Sequence, residues 1–253
     1  MRMLRVLGLA ALGTLFTFAM TTLGAATVFL LGRGGGTRTQ ETMLGFAAGV
    51  MTAASVWSLL LPALEQASGG PLPVWCPAAA GVSAGAVFLA ALDAVLPSLW
   101  RKQPDPERRR NALLFAAITL HNIPEGMAVG LAFALCGEGE SLAGAAALAL
   151  GIGIQNFPEG AAISLPLRRS GDSALRAFLG GTLSGAVEPL FGLLAVLLAA
   201  GAHSLMPWLL SFAAGAMLYV VVEELVPQAN SRCGVCGYMA GFLIRMVLDV
   251  ALG

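Results

Sequence analysis

His121-Asn122-Ile123-Pro124-Glu125-Gly126 recurs further along the chain as Gln155-Asn156-Phe157-Pro158-Glu159-Gly160, and both hexapeptides lie inside apolar segments. The first copy places an imidazole, an amide and a carboxylate, and the second two amides and a carboxylate, where hydrocarbon is expected. Ionisable groups at membrane depth are costly, and they mark functional positions. A repeated pair of hydrophobic segments, each carrying proline, glycine and polar groups, is the sequence pointer to a transporter binding site.

Composition sets the class around them. Of 253 residues, 57% are hydrophobic and only 11% charged, and 32 are glycine, whereas an ordinary soluble domain is ~25% charged. The chain reads as an all-α, polytopic membrane protein. A formal net charge of zero, with no long basic or aromatic-interleaved run, argues against a nucleic-acid partner. Cys76, Cys136, Cys233 and Cys236 are too few and too scattered for a disulfide framework.

With ~20 residues needed per spanning helix, eight transmembrane helices fit, roughly 6–31, 41–65, 73–97, 111–136, 141–167, 173–200, 205–227 and 235–252. The connectors are short and rich in Gly, Pro or charge, so a single transmembrane domain covers 1–253. Met1-Arg2-Met3-Leu4-Arg5 ahead of an apolar run has the look of a signal peptide. The run continues to Leu31, longer than a usual signal core, and it is read here as the first span.

Lys and Arg accumulate in cytoplasmic connections. With the N-terminus outside, Arg33, Arg38, Arg101, Lys102, Arg108, Arg109, Arg110, Arg168, Arg169, Arg176 and Arg232 all fall inside, eleven of the 14 basic residues. The expected location is the cell (inner) membrane with both termini extracytoplasmic. His121 lies eleven residues beyond Arg110 and Gln155 thirteen before Arg168, so at ~1.5 Å per residue both motifs sit ~16–20 Å from the inner surface.

The fourth and fifth spans then form an antiparallel hairpin whose motif faces can meet. His121 stacks with Glu125 and Gln155 with Glu159, four residues apart on one face. Asn122 and Asn156 line the neighbouring side. Pro124 and Pro158 cannot donate to the carbonyls of Leu120 and Ile154, so each helix is expected to bend one turn ahead of its glutamate. Gly126 and Gly160 allow close helix approach. Two buried carboxylates near one another repel unless a cation or protons sit between them. Imidazole, amide oxygens and carboxylates suit borderline divalent metals. Glu188, in the sixth span with Pro189, can close the site from a third helix. In the second span Met51, Ala54, Ser58 and Glu65 form one helical stripe, with Glu65 at the outer mouth and Ser58 and Met51 on the way down.

The paired hexapeptides in consecutive spans resemble the signature of the ZIP (Zrt-, Irt-like protein) divalent-metal transporters, and the segment from Gly49-Val50-Met51 to Glu65 is similar to the prokaryotic GufA-type branch. The resemblance covers essentially the whole chain. It implies a ZIP-like bundle with a binuclear metal site between helices 4 and 5. His121, Glu125, Gln155 and Glu159 would make one position, and Asn122, Glu125, Asn156, Glu159 and Glu188 the second. Family members often have Asp where this chain has Asn156, so the second position is expected to be weaker or differently selective. The resemblance also implies uptake into the cytoplasm by movement of one helix bundle past another. It further implies a cytosolic histidine-rich loop, but the loop at 98–110 contains no His.

The function expected is therefore transport of a divalent cation, zinc first, with iron, manganese, cadmium or cobalt as companions. The metal is substrate rather than cofactor, the chain is not an enzyme, and its partners are divalent ions, the lipid bilayer and, without conflict in the sequence, a second copy as homodimer. Two rivals are an intramembrane metallohydrolase, disfavoured because HExxH is absent, and a proton- or sodium-coupled carrier of organic solutes. Of Glu223 and Glu224, one is expected to face the cavity or a nearby helix, and periodicity does not choose between them. Asp93, Asp249 and Arg245 read equally as helix-to-helix pairs or as part of a conduction path. The Cys233-Gly234-Val235-Cys236 spacing, without partner ligands, is a weak metal signal.

Overall fold

The computed structural model describes residues 2–31, 37–99, 106–136, 141–201 and 203–252. Arg33, Arg101, Lys102 and Glu138 lie outside the described residues, as do residues 100–105 of the loop at 98–110 and the side chains of Arg108, Arg109, Arg110 and His203. Among the described residues every regular element is helical: α1 (Arg2–Leu31), α2 (Thr37–Ala54), α3 (Leu61–Ala67), α4 (Trp75–Leu99), α5 (Pro106–Cys136), α6 (Leu142–Arg169), α7 (Ala174–Gly185), α8 (Val187–Gly201), α9 (Met206–Val220), α10 (Val226–Gln228) and α11 (Arg232–Leu252).

Among the described residues, six helical stretches are long and apolar enough to cross a membrane: Met3–Leu30, Glu41–Ala67, Trp75–Val95, Ala174–Ala200, Met206–Gln228 and Arg232–Ala251. The chain is a multi-pass membrane protein. The two long helices outside that set, α5 and α6, are the ones that carry the hexapeptides. They have 31 and 28 residues, ample to span ~30 Å, and the polar residues that interrupt their apolar runs are His121, Asn122 and Glu125 in α5 and Gln155, Asn156 and Glu159 in α6.

The helices sort into two groups by packing. α1, α5, α6, α7 and α8 pack mainly on one another, with α1 along α6 and α5 along α8; α2 lies along α11 and α4 along α9 in the second group. The groups meet where α2 crosses α6 and α5 crosses α9. With lipid as apolar as leucine, small residues permit such close packing. A Cβ on Gly126 would come within 2.4 Å of the Glu188 carbonyl oxygen, and one on Gly160 within 2.0 Å of the Thr21 carbonyl oxygen. Those two glycines bring α8 and α1 against the hexapeptide helices.

The irregular backbone falls away from the hexapeptides. α5 and α6 continue as α-helix through Pro124 and Pro158. Departures occur instead at Ser55–Leu60, a π-helical turn between α2 and α3, at Val221–Leu225, a second π turn between α9 and α10, and at Ala186 between α7 and α8. Each π turn precedes a proline at the second position of the following helix, Pro62 and Pro227. Lacking N–H, these prolines cannot donate to the carbonyls of Ser58 and Glu223. Such π turns cluster at functional sites.

Leu44 of α2, Ile118 of α5, Ala162 of α6 and Leu225 line one small cavity. The helix ends that carry Arg38, Arg168 and Arg169 extend beyond it on the same side, and Gly234, next to Arg232, packs on Gly45 of α2.

Candidate metal centre

Seven polar side chains from α5, α6 and α8 are buried together in a chain with few charges to spend. His121, Asn122, Glu125, Gln155, Asn156, Glu159 and Glu188 are each at most 5% exposed. Leaving such groups unpaired costs ~1–3 kcal/mol each, so where their hydrogen bonds go is informative.

The amide nitrogens face protein acceptors. Gln155 Nε2 donates to Glu125 Oε1 at 2.6 Å, tying α6 to α5. Asn122 Nδ2 donates to the Ser184 carbonyl at 2.8 Å. Asn156 Nδ2 donates to Glu188 Oε2 at 2.9 Å and to the Thr17 carbonyl at 3.4 Å. The Ser184 and Thr17 carbonyls can only accept, which fixes the orientations of Asn122 and Asn156, and an ionised Glu125 fixes that of Gln155 in the same way. Thr21 completes the hold on Glu188, its hydroxyl donating to Oε1 at 3.1 Å.

The oxygens are left over. Asn122 Oδ1, Glu125 Oε2, Gln155 Oε1, Asn156 Oδ1 and both carboxylate oxygens of Glu159 are buried with no hydrogen-bond partner. These six acceptors come from the two hexapeptides alone. A set of lone pairs with its donors turned away is matched chemically to a cation. Among the described residues, three or more His, Cys, Asp or Glu side chains are nowhere gathered close enough to hold a metal by themselves; any cation here would draw on the amide oxygens as well.

His121 points across the boundary between helix groups. Its Nε2 lies 3.4 Å from Glu224 Oε1 in the π turn Val221–Leu225. Glu224, not the exposed Glu223, is therefore the acid that reaches the site. His121, Glu159 and Glu224 line one small cavity with Leu44, Ile118 and Gln228.

The stripe of the second span divides. Ser58 and Glu65 line a larger cavity of about 250 Å³ at the other end of the molecule, with Trp57, Leu61, Ser141 and Asp249. Met51 is instead 1% exposed, inside an apolar cluster with Leu59, Leu131, Leu148, Ile152 and Met217. The same cluster takes in Leu148 from the lining of the larger cavity and Leu44 and Leu225 from that of the small one.

Thr17 and Thr21 were not singled out from the sequence. Thr14, Thr17 and Thr21 are nevertheless buried on one face of an apolar helix, and that i, i+3, i+7 polar stripe was the available signal.

The profile described as ZIP zinc transporter matches residues 102–249. The chain belongs to the ZIP family. Among ZIP relatives, zinc transporter ZIP11 of Homo sapiens is 37% identical, the match covering 96% of this chain and 97% of the relative. Zinc transporter ZIPB of Bordetella bronchiseptica is 40% identical over 97% of this chain and 82% of the relative. Zinc transporter GufA of Myxococcus xanthus is 39% identical over 78% and 81%. The ZIP family match takes in α5, α6 and α8, the helices that supply all seven buried polar residues.

Proposed function

We propose that this chain is a divalent-cation transporter, zinc first among its substrates, that carries the ion through the bilayer between α5 and α6. One observation supports this above the others: six buried oxygens of the twin hexapeptides have no donor, while every amide nitrogen among them is already used. The three relatives carry zinc transport in their names.

Eight spans follow when α5 and α6 are counted with the six apolar stretches, since their polar residues are sheltered by neighbouring helices. Both termini then lie outside, and the arginine-rich helix ends face the cytoplasm.

In the proposed mechanism, the ion is gathered in the outer cavity by Glu65 and Asp249, passes Ser58 and the apolar seal around Met51, and is taken up by Gln155, Glu125, Glu159 and His121. Glu159 is suited to lead, since both its oxygens are free of other bonds. A second position next to it would use Asn122, Glu125, Asn156, Glu159 and Glu188. Asn156 supplies a neutral oxygen there, so this position carries less negative charge than a carboxylate would give and binds more weakly. Release is inward past Glu224 and Gln228. Sliding or rocking of the α1/α5/α6/α7/α8 group against the other would expose the site to each side in turn.

The test is zinc uptake into liposomes holding the purified chain, with a zinc-sensitive dye inside. Zinc should accumulate, and Glu125→Ala and Glu159→Ala should each abolish it. Uptake unchanged in Glu159→Ala would overturn the site, and no uptake by the parent chain would overturn the transport reading.

A further inference from the structure

A second buried polar cluster lies outside the twin hexapeptides. Arg245 of α11 is 1% exposed. Its guanidinium donates to Asp249 through Nε at 2.9 Å and through Nη2, to Ser58 Oγ through Nη2 at 2.6 Å, and to the Ala147 carbonyl of α6 through Nη1. Ser58 in turn donates to Asp249 at 2.9 Å.

The place of this cluster matters more than its strength. Ser58 and Asp249 line the large outer cavity with Glu65. On its other side the guanidinium lies against Gly151, where a Cβ would come within 2.2 Å of Nη1. Gly151 is one helical turn from Gln155 on the same face of α6. The positive charge therefore stands between the outer cavity and the Glu125–Gln155 pair. A dication moving down that face meets like charge in a region of low dielectric, where repulsion is strong. The Asp249 and Ser58 oxygens that would receive it are already engaged.

A structural ion pair is the plainer reading, because buried Arg–carboxylate pairs are common and often replaceable by apolar residues. Such a pair is complete with Asp249 alone, one turn along the same helix. Here the guanidinium also reaches the π turn at Ser58 and, in the other helix group, the backbone of α6. Gly151 leaves the space it occupies.

We propose that Arg245 is the gating residue of the outer passage, a tethered cation that holds the Ser58–Asp249 oxygens and clips α11 to α6 until an entering divalent ion displaces it. This rests on the reading that the outer cavity leads to the hexapeptides.

The test uses the full chain in right-side-out membrane vesicles, with the four native cysteines replaced by serine and Leu148→Cys, on the cavity wall, as reporter. Arg245→Met should speed labelling of position 148 by a membrane-impermeant maleimide about fivefold, and should lower the KM for zinc by a similar factor with kcat little changed, because freeing Asp249 restores an attractive charge. Asp249→Asn alone, which leaves the guanidinium bare, should cut zinc influx about tenfold, and adding Arg245→Met should bring it back to within about twofold of the parent. If Arg245→Met yields no monodisperse protein, Arg245→Gln, neutral and able to keep hydrogen bonds, is read by the same criteria. An Arg245 variant that lowers thermal stability but keeps the parent's labelling rate and KM overturns the proposal. Absence of zinc influx in the parent overturns the transport reading instead, and the labelling rates alone then decide the gate.

Discussion

His121 of α5 lies 3.4 Å from Glu224, and the two residues belong to different helix groups. The imidazole is thus shared between the hexapeptide site and the π turn that borders the small cavity. Any movement of one group past the other has to separate them. Glu224→Gln keeps a partner of the same shape and removes its charge, and bonds to charged groups contribute ~1.5–3 kcal/mol. The expected outcome is a drop in maximal zinc uptake of about tenfold with little change in KM, measured in liposomes over a range of zinc concentrations. A change in KM alone would place Glu224 on the inward path of binding instead of release.

Glu159 has both carboxylate oxygens unpartnered and is 4% exposed. Glu159→Gln retains volume but removes the charge. Zinc affinity should fall at least 100-fold, since a buried carboxylate facing a dication acts where the dielectric is low. Thermal stability of the metal-free protein should rise, because a buried carboxyl that must either stay charged or take up a proton on folding gives way to a neutral amide. Zinc titration by calorimetry and a thermal melt in chelator read the two effects separately.

Asn156→Asp tests the second position. The substitution removes the donor that Glu188 Oε2 and the Thr17 carbonyl accept from, and sets two carboxylates side by side. Without metal the variant should melt lower, by several degrees for a loss of ~1–3 kcal/mol. With zinc the stabilisation should exceed that of the parent, as the added charge tightens binding. Equal zinc-induced shifts in parent and variant would remove Asn156 from the ligand set.

Thr21→Val, nearly isosteric, withdraws the hydroxyl bound to Glu188 at 3.1 Å. The expected loss is ~1–3 kcal/mol of stability, together with weaker binding of a second zinc equivalent and unchanged binding of the first. Calorimetric stoichiometry checks this, and equal weakening of both equivalents would contradict the division into two positions.

Gly160→Ala places a methyl where the Thr21 carbonyl oxygen is 2.0 Å away. Backbone against backbone cannot yield by rotamer change, so α1 and α6 must part. A loss of more than ~2 kcal/mol and failure to accumulate folded protein are expected in a fluorescence-detected sizing assay. Gly8→Ala, with open space around it, is the control and should behave like the parent.

Much of this arrangement was legible in the residues. The helical class followed from composition, and the hexapeptide glycines announced close packing that the Thr21 and Glu188 backbones confirm. The span limits read from hydropathy fall within a few residues of the helix ends. The backbone irregularities were misplaced, because proline at 124 and 158 is accommodated within α-helix while Pro62 and Pro227, less conspicuous in sequence, accompany the π turns. Helix-period reasoning assumes 3.6 residues per turn, and a π turn shifts the phase of everything beyond it. For the same reason periodicity could not choose between Glu223 and Glu224. The ties from Thr17 and Thr21 to Asn156 and Glu188 span more than a hundred residues of sequence, and local patterns carry no record of such distances. Arg245 reads from sequence equally as a helix-to-helix partner or as part of a conduction path, and its reach to Ala147 depends on how α11 crosses α6.

The orientation of three amides has a consequence for what the protein refuses. Gln155, Asn122 and Asn156 each aim the amide nitrogen at a scaffold acceptor and leave the amide oxygen unpartnered. Chloride, phosphate or a substrate carboxylate arriving there would meet unpartnered carbonyl and carboxylate lone pairs, like charge against like. Rejection of such traffic is thus wired into the protein's own hydrogen bonds before any ion arrives, and it does not depend on which metal the chain prefers.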